Sequence, residues 1–288
     1  MDIKLTGSNG YVGRLITSEL AKKGHSASGI QRPLLYGPAD ALSEELRKTD
    51  VVINLAGASI LQRWTEKNRE IIYNSRVHTT QNLVKAIKAL PATERPKKLI
   101  SASAIGIYSA NQMHTEESQN FDDGFLGQVV KDWENALSDL PTEVRQVIFR
   151  LGVVIGSNAK TIKNMLLPFR LGLGAKVASG KQAFPFIHEQ DVVNAFTCAT
   201  EQNSINGIYN LTAPATITNK EFTQSLAEVL KRPAFFTLPA FVLKAALGEA
   251  ALLLLESPSV SSEKLLQAGF KFTYPSIDKA LQAIISEG

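Results

Sequence analysis

The stretch Lys4–Leu15, KLTGSNGYVGRL, constrains the fold of this chain more than any other. Ile3–Thr6 reads as a short strand. Tyr11–Lys23 reads as a helix, with Val12, Leu15, Ile16 and Leu20 on one apolar stripe. Gly7, Gly10 and Gly13 lie between and at the start of these elements, spaced G-x-x-G-x-x-G. The first glycine permits a tight turn, the second lets backbone approach a diphosphate, and the third lets the helix pack closely on the sheet. A helix start also presents free N–H groups and the positive end of its dipole to anions. The strand before and the helix after give the glycines weight; a ligand-free glycine turn is the alternative. Gly7, Ser8, Asn9, Gly10, Tyr11, Val12 and Gly13 are therefore expected to cradle phosphate.

The same rhythm continues. Ser26–Gln31 reads as a second strand and Val51–Leu55 as a third, nearly all apolar, as fits a strand buried on both faces. A long helix is expected over Glu66–Leu90, then a strand at Lys98–Ser103, a helix holding Lys131, and a strand at Val144–Phe149. Repeated βαβ units imply an α/β fold with a doubly wound parallel Rossmann sheet. This domain is expected over 1–156, rejoined by parts of 185–215. After Gly156 the pattern loosens. Helical stretches at Ile162–Leu171, Asp191–Glu201, Asn219–Leu230 and Pro239–Leu255 alternate with short β-like pieces. Residues 157–288 are expected to form a smaller mixed α/β C-terminal cap that carries the substrate side of a cleft.

Composition excludes several classes. With 288 residues, 44% hydrophobic and 20% charged, the chain can bury a sizeable core. The net charge of +4 is scattered, with no basic stripe of the kind that binds nucleic acid. The lone Cys198 sits in an apolar stretch and reads as a packing residue; no His/Cys set has zinc spacing, so no metal is expected. Lys244 and Glu249 interrupt the most apolar segment, Pro239–Pro258, which reads as a buried helix and not a membrane span. The start, MDIKLTG, has no secretory pattern, so a cytoplasmic location is expected.

The end of the second strand selects the nucleotide. An acidic side chain there would bind the ribose 2′-hydroxyl of NAD. This chain has no acid between Glu19 and Asp40 and offers Gln31-Arg32-Pro33 instead. A guanidinium pairs bidentately with a 2′-phosphate, which favours NADP(H) over NAD(H). The alternative is that Arg32 is a solvated surface charge.

These residues carry a resemblance. The glycine spacing, NLAG at Asn54–Gly57 and SASAIGIYS at Ser101–Ser109 resemble the extended short-chain dehydrogenase/reductases of the NAD-dependent epimerase/dehydratase superfamily. DVVINLAGASI with RWTEKNR, FLGQVVKDWE, FRLGVVIG, PFIHEQD, YNLTAPATITNKEF and LGEAALLLLES are similar, more narrowly, to its atypical YfcH-like, epimerase-family group. The match runs in order along nearly the whole chain.

The resemblance implies that Leu55, Ala56 and Gly57 line the cofactor together with Gln31, Arg32 and Lys131. In the broad family a serine hydrogen-bonds the reacting oxygen, a tyrosine moves the proton, and a lysine four residues later holds the nicotinamide ribose. Carried over, Ser103 matches the serine, with Ser101 next, and Lys131 matches the lysine. The tyrosine position is Gly127. A positioned acid or base contributes typically about 10²–10⁴-fold, so its absence matters. Tyr108, a water or the substrate itself are the candidates to replace it, with room beside Gly127 for either of the last two; Tyr108 reads equally as a packing residue.

Other residues divide similarly. Trp133 reads as a core anchor. Trp64 and Arg63 follow a strand end, where they either line the crevice or lie outside it as ordinary loop residues. His188 in FIHEQD reads as a structural partner of Asp191, or as a general acid. The expected function is an NADP(H)-dependent oxidoreductase or epimerase acting on a small polar, sugar-nucleotide-like molecule. The alternative is a non-catalytic NADP(H)-binding sensor of the same fold. A small-molecule substrate is the expected partner, with neither nucleic acid nor membrane; a homodimer is left open.

Overall fold

The structure is a computed structural model that describes residues 1–287. Six strands form one parallel sheet in the spatial order Gly207–Leu211, Arg145–Leu151, Lys98–Ala104, Val51–Asn54, Asp2–Thr6, Ser26–Gly29. Chain direction across the sheet reverses between Asp2–Thr6 and Val51–Asn54, the switch point where ligands bind in such sheets. The strand Gly207–Leu211 returns to this sheet from well beyond residue 157, pairing Tyr209 with Phe149.

Both faces of the sheet are covered. Val51 and Ile53 point to a core shared with Ile16 and Leu20 of helix Tyr11–Lys22 and with Val192 and Phe196 of helix Glu189–Glu201. Val52 points to the other core, shared with Leu42, Leu46, Leu83 and Ile87. All four residues of Val51–Asn54 are buried, as its apolar run implies. A third core, with Ile162, Phe169, Phe222, Leu226 and Leu281, lies within the C-terminal half.

Two expected helices are broken. The expected helix Glu66–Leu90 is two helices, Glu66–Asn74 and Val77–Ala89, parted at Ser75 and Arg76. The loop after the third strand docks into the break. Ala58 N–H donates to Ser75 Oγ at 2.9 Å, and Arg76 donates to Ala58 O at 2.9 Å. The apolar segment Pro239–Leu255 is not one buried helix either. Gly248, at φ +64°, ends helix Ala240–Leu247, and a short turn leads to Leu252–Leu255. Phe241 is 72% exposed, while Leu243, Ala250 and Ala251 face inward. Among the described residues no helix is long and apolar enough to cross a membrane.

Candidate cofactor and active site

The glycine turn is shaped by close approach. Gly7 has φ +67°, and a Cβ there would stand 2.6 Å from Leu55 O, so the two strand ends meet with no space for a side chain. Gly10 N–H closes the turn onto Gly7 O at 2.9 Å. At Gly13 a Cβ would overlap Gly7 O and stand 2.8 Å from Ser8 Cα. Gly10 is the residue before helix Tyr11–Lys22; no side chain caps that helix start and no acid lies in its first turn. Ser8, Asn9, Arg14, Thr17, Ser18 and Gly29 line a cavity of about 390 Å³ beside it. Gly29 packs against the Ser8 side chain, which would have to shift for any larger residue there.

Arg14 brings a cation to this cavity that the sequence reading passed over. The available signal was its place one turn beyond Gly10, the same spacing that puts it on the turn's own face of the helix. Gln31 precedes, and Arg32 opens, the short helix Arg32–Tyr36, so the second strand stops at Gly29, two residues before its expected end at Gln31. The Arg32 guanidinium lies 5.7 Å from the Tyr36 ring centre. Both arginines are exposed, and neither forms an ion pair with a described residue.

The floor of the crevice is a buried polar network. Thr6 Oγ1 accepts from the N–H groups of Leu55 and Ala56 at 2.9 and 3.0 Å and donates to Asn54 Oδ1 at 2.7 Å. Asn54 Nδ2 donates to Thr80 Oγ1 and Ser101 Oγ, and Trp133 Nε1 donates to Thr80. Ser101 and Trp133 are thereby committed to fixing the loop Leu55–Gly57.

Gly127 and Lys131 lie on helix Phe125–Asn135. The space beside Gly127 is filled. A Cβ there would overlap the carbonyl oxygen of Asp122 and stand 2.6 Å from its Oδ2. Asp122 Oδ2 accepts from the N–H groups of Gly124 and Gly127, both at 3.1 Å, and so anchors the helix start. The room that a glycine was expected to leave for water or substrate is taken by this segment. Lys131 Nζ lies 5.6 Å from the Phe121 ring centre and 3.9 Å from Asp123, which is fully exposed.

Ser103 and Tyr108 belong to a second network. Ser103, 3% exposed, donates to Glu134 Oε1 at 2.5 Å. Arg150 clamps both oxygens of Glu134, at 2.8 and 2.7 Å, and donates a third bond to Tyr108 Oη at 2.7 Å. Tyr108 Oη donates to Asn210 Oδ1 at 2.8 Å, and its ring stacks on His114. Burial opposes the charge on Arg150, yet its bonds to Glu134 hold the pKa above its usual value. Burial pushes the Tyr108 phenol up, against a smaller opposing pull from Arg150. The structure thus joins Ser103 to Tyr108 through Glu134 and Arg150, neither of which the sequence reading singled out. Their signal was weak: a Glu three residues after Lys131 and an Arg inside an apolar strand.

Trp64 packs edge-on against Phe125, with rings 5.3 Å apart, and Arg69 lies 4.6 Å above the same phenylalanine. Arg69 also pairs with Glu249, and Arg63 donates to Ala245 O, so this loop meets the C-terminal helices. His188 Nδ1 accepts from Gln190 N–H and caps helix Glu189–Glu201; its ring lies 3.9 Å from that of Tyr274. Asp191 accepts from the N–H groups of Thr273 and Tyr274. These are the contacts of a brace between the sheet and the C-terminal segment. Cys198 packs half-buried against the core. Among the described residues no cluster of three His, Cys, Asp or Glu side chains is placed to hold a metal ion.

Comparison with known proteins agrees with this fold. Residues 3–212 match the NAD dependent epimerase/dehydratase family, and residues 238–284 match a domain of unknown function, DUF1731. The chain is 37% identical to the mouse epimerase family protein SDR39U1, covering 99% of this chain and 100% of that one. It is 33% identical to epimerase family protein YfhF of Bacillus subtilis, covering 100% and 99%. The crystal structure of human SDR39U1 with NADPH superposes with a TM-score of 0.92 at 36% identity, over 99% of each chain. The chain belongs to the NAD dependent epimerase/dehydratase family.

Proposed function

We propose that this protein binds NADP(H) along the glycine turn and acts as an oxidoreductase or epimerase on a small polar, sugar-nucleotide-like molecule. The observation that carries the reading is the uncapped helix start behind Gly7, Gly10 and Gly13, which three close approaches keep free of side chains. Its N–H groups and dipole suit a diphosphate. Arg14 lines the adjoining cavity and Arg32 opens the short helix after the second strand; the two supply cations for a 2′-phosphate, and no carboxylate lines that cavity. The human relative crystallised with NADPH supports the same cofactor. Ala56 and Gly57 line the middle of the crevice, and Lys131 reaches for the nicotinamide ribose.

The nicotinamide, when bound, supplies the hydride chemistry. The protein's part is to bind, orient and move a proton. With its own proton held by Glu134, Ser103 Oγ offers lone pairs to a substrate hydroxyl, and Glu134 is the carboxylate behind it that would take up the proton. In place of the tyrosine stands Asp122. Its Oδ2 is taken by backbone N–H groups, and its Oδ1 forms no hydrogen bond within the described residues. Oδ2 is the carboxylate atom nearest the missing side chain, 2.6 Å from where a Cβ at 127 would stand, and Oδ1 is the free oxygen of the same group.

One observation favours the second reading, a non-catalytic NADP(H) sensor: Ser103 and Tyr108 are both buried and already bonded. A metabolite screen with NADP⁺, followed at the reduced-nicotinamide absorbance band, separates the two. Turnover that Ser103→Ala, Lys131→Ala and Asp122→Asn abolish supports the enzyme. Tight NADP(H) binding without turnover across sugar nucleotides and small alcohols supports the sensor.

A further inference from the structure

The four most exposed large apolar side chains among the described residues are Phe235 at 88%, Phe241 at 72%, and Leu167 and Leu171 at 66% each. None belongs to the glycine turn or to the two buried polar networks. The fold brings their segments together. Strand Phe236–Leu238 pairs with Ala175–Val177, with Phe236 opposite Ala175. The turn 171–174, which ends helix Lys160–Arg170, therefore lies against Pro233 and Ala234. A Cβ at Gly172 would stand 3.6 Å from Pro233 Cγ, and one at Gly174 would stand 2.9 Å from Ala234 Cβ. Helix Ala240–Leu247, which carries Phe241, follows the strand after Pro239 alone. Leu173 and Phe236, both more than half exposed, lie on the same two segments. Soluble monomers rarely leave neighbouring apolar groups this bare, and such patches mark contact with a protein, a ligand or a membrane.

The charge around these residues has one sign. Residues 160–181 and 231–248 hold eight of the 31 Lys and Arg and none of the 27 Asp and Glu, so the net +4 of the chain is +8 here against −4 elsewhere. None of the eight forms an ion pair among the described residues. Lys176 is turned to the carbonyls of Ala178 and Ser179, and the other seven are exposed. Glu249, the first acid after the second segment, pairs with Arg69 of the crevice loop. Helix Lys160–Arg170 shows the mixture on one element. Ile162 and Phe169 face the third core. Lys163, Leu167 and Arg170, at helical spacing, are all exposed on the other side.

We propose that this face docks on the anionic surface of a lipid bilayer. Phe235, Phe241, Leu167 and Leu171 enter the boundary between headgroups and acyl chains, and the lysines and arginines around them rest on the headgroups. Charge decides among the occupants. A second copy in two-fold contact would set the same patch against itself, cation against cation. An acidic protein would satisfy the charge, but protein interfaces are anchored by Trp, Tyr and Arg seated in pockets. Residues 160–181 and 231–248 contain no Trp or Tyr, and their phenylalanines protrude. Phe and Leu among Lys and Arg is the composition of surfaces that lie in a membrane interface. There the long cationic side chains lay their stems along apolar groups and keep their charges in water. The contact is lateral, since no helix among the described residues is long and apolar enough to cross a bilayer. It stands apart from the cofactor reading.

The test is flotation of the full-length protein with vesicles of phosphatidylcholine alone and of phosphatidylcholine with about one third phosphatidylglycerol, the anionic share the proposal requires. The wild type is expected to float with the anionic vesicles, to leave the neutral ones, and to be released as salt is raised. Two double variants separate the contributions: Phe235→Ser with Phe241→Ser, and Lys231→Gln with Arg232→Gln. All four residues are exposed, so both variants are expected to melt as the wild type does. The charge variant is expected to lose partition by about fivefold per cation removed, and the phenylalanine variant by tenfold or more. Phe235→Trp is expected to gain a blue-shifted emission on anionic vesicles that brominated lipid quenches. No flotation of the wild type with anionic vesicles at low salt overturns the proposal. So does a phenylalanine variant that floats as well as the wild type, which leaves charge attraction alone. A concentration-dependent dimer in sedimentation that the phenylalanine variant dissolves gives the face to a second copy. Binding to polyglutamate as tight as to the anionic vesicles gives it to an acidic protein. Either of these also overturns the proposal.

Discussion

Gly127 and Asp122 occupy each other's space: the carbonyl and carboxylate of Asp122 fill the volume in which a side chain at 127 would begin. In the broad family that volume holds the tyrosine that moves the proton. Restoring it here is therefore not a gain. Gly127→Ala is expected to destabilise by about 1–3 kcal/mol, the range for overpacking a filled site. Gly127→Tyr is expected to unfold the start of helix Phe125–Asn135 and to yield no turnover. Thermal melts and the NADP⁺ screen check both; a stable and active Gly127→Tyr protein would show that the Asp122 segment yields.

Asp122→Asn isolates the proton from the cap. Asparagine keeps an oxygen for the Gly124 and Gly127 N–H groups but cannot take up charge. Melting within a few degrees of the wild type, with any turnover lost, is the expected pair of results. Unaltered turnover would remove Asp122 from the chemistry.

Glu134 and Arg150 stand as a buried pair, with side chains 11% and 4% exposed. Removing one partner strands the other, so Glu134→Gln or Arg150→Met is expected to cost about 3–5 kcal/mol. The double variant is expected to be less damaged than the sum of the two. Urea unfolding of the four proteins forms the cycle; additive effects would mean the pair acts independently.

His188 gives the fold an acid limit. Its folded pKa is about 4 against an ordinary 6.5, because burial disfavours the imidazolium, and the side chain is 2% exposed. The unfolded chain takes up a proton below about pH 6.5 while the folded chain does not until about pH 4. Stability is therefore full above 6.5 and falls as pH drops through that window, by about 3 kcal/mol at most. Asp191, raised by burial, contributes in the opposite direction at pH above its ordinary value of 3.8. The contribution of His188 is read as the difference between wild type and His188→Gln across pH 4–7. Parallel curves would contradict it.

The order of the first strands and the glycine turn could be read from residue patterns, because both follow from local rules: period-two and period-3.6 burial, and backbone that only glycine permits. The break at Ser75–Arg76 could not. Its cause is the loop at Ala58, seventeen residues away, whose N–H and carbonyl capture the two side chains. Likewise nothing near Gly127 in a helical reading points to Asp122, which folds back over the helix start. Ser103 was legible as a candidate; that its proton is held by Glu134, itself clamped by Arg150, depends on strand Arg145–Leu151 lying beside Lys98–Ala104.

Removing the cations beside the phosphate turn should change selectivity more than fold. A charge-assisted hydrogen bond contributes about 1.5–3 kcal/mol, so Arg32→Ala or Arg14→Ala is expected to weaken NADPH roughly ten- to hundredfold. NADH binding and the melting temperature should stay nearly unchanged. Equal losses for both nucleotides would place these arginines elsewhere than at the 2′-phosphate.

In the proposed function the turn Gly7–Gly13, with its neighbouring arginines, holds a dinucleotide bearing a 2′-phosphate. Calorimetric titration of the wild-type protein with NADPH and with NADH tests it most directly. Saturable NADPH binding at least tenfold tighter than NADH is the predicted result. Equal affinity, or no heat from either nucleotide, would contradict it.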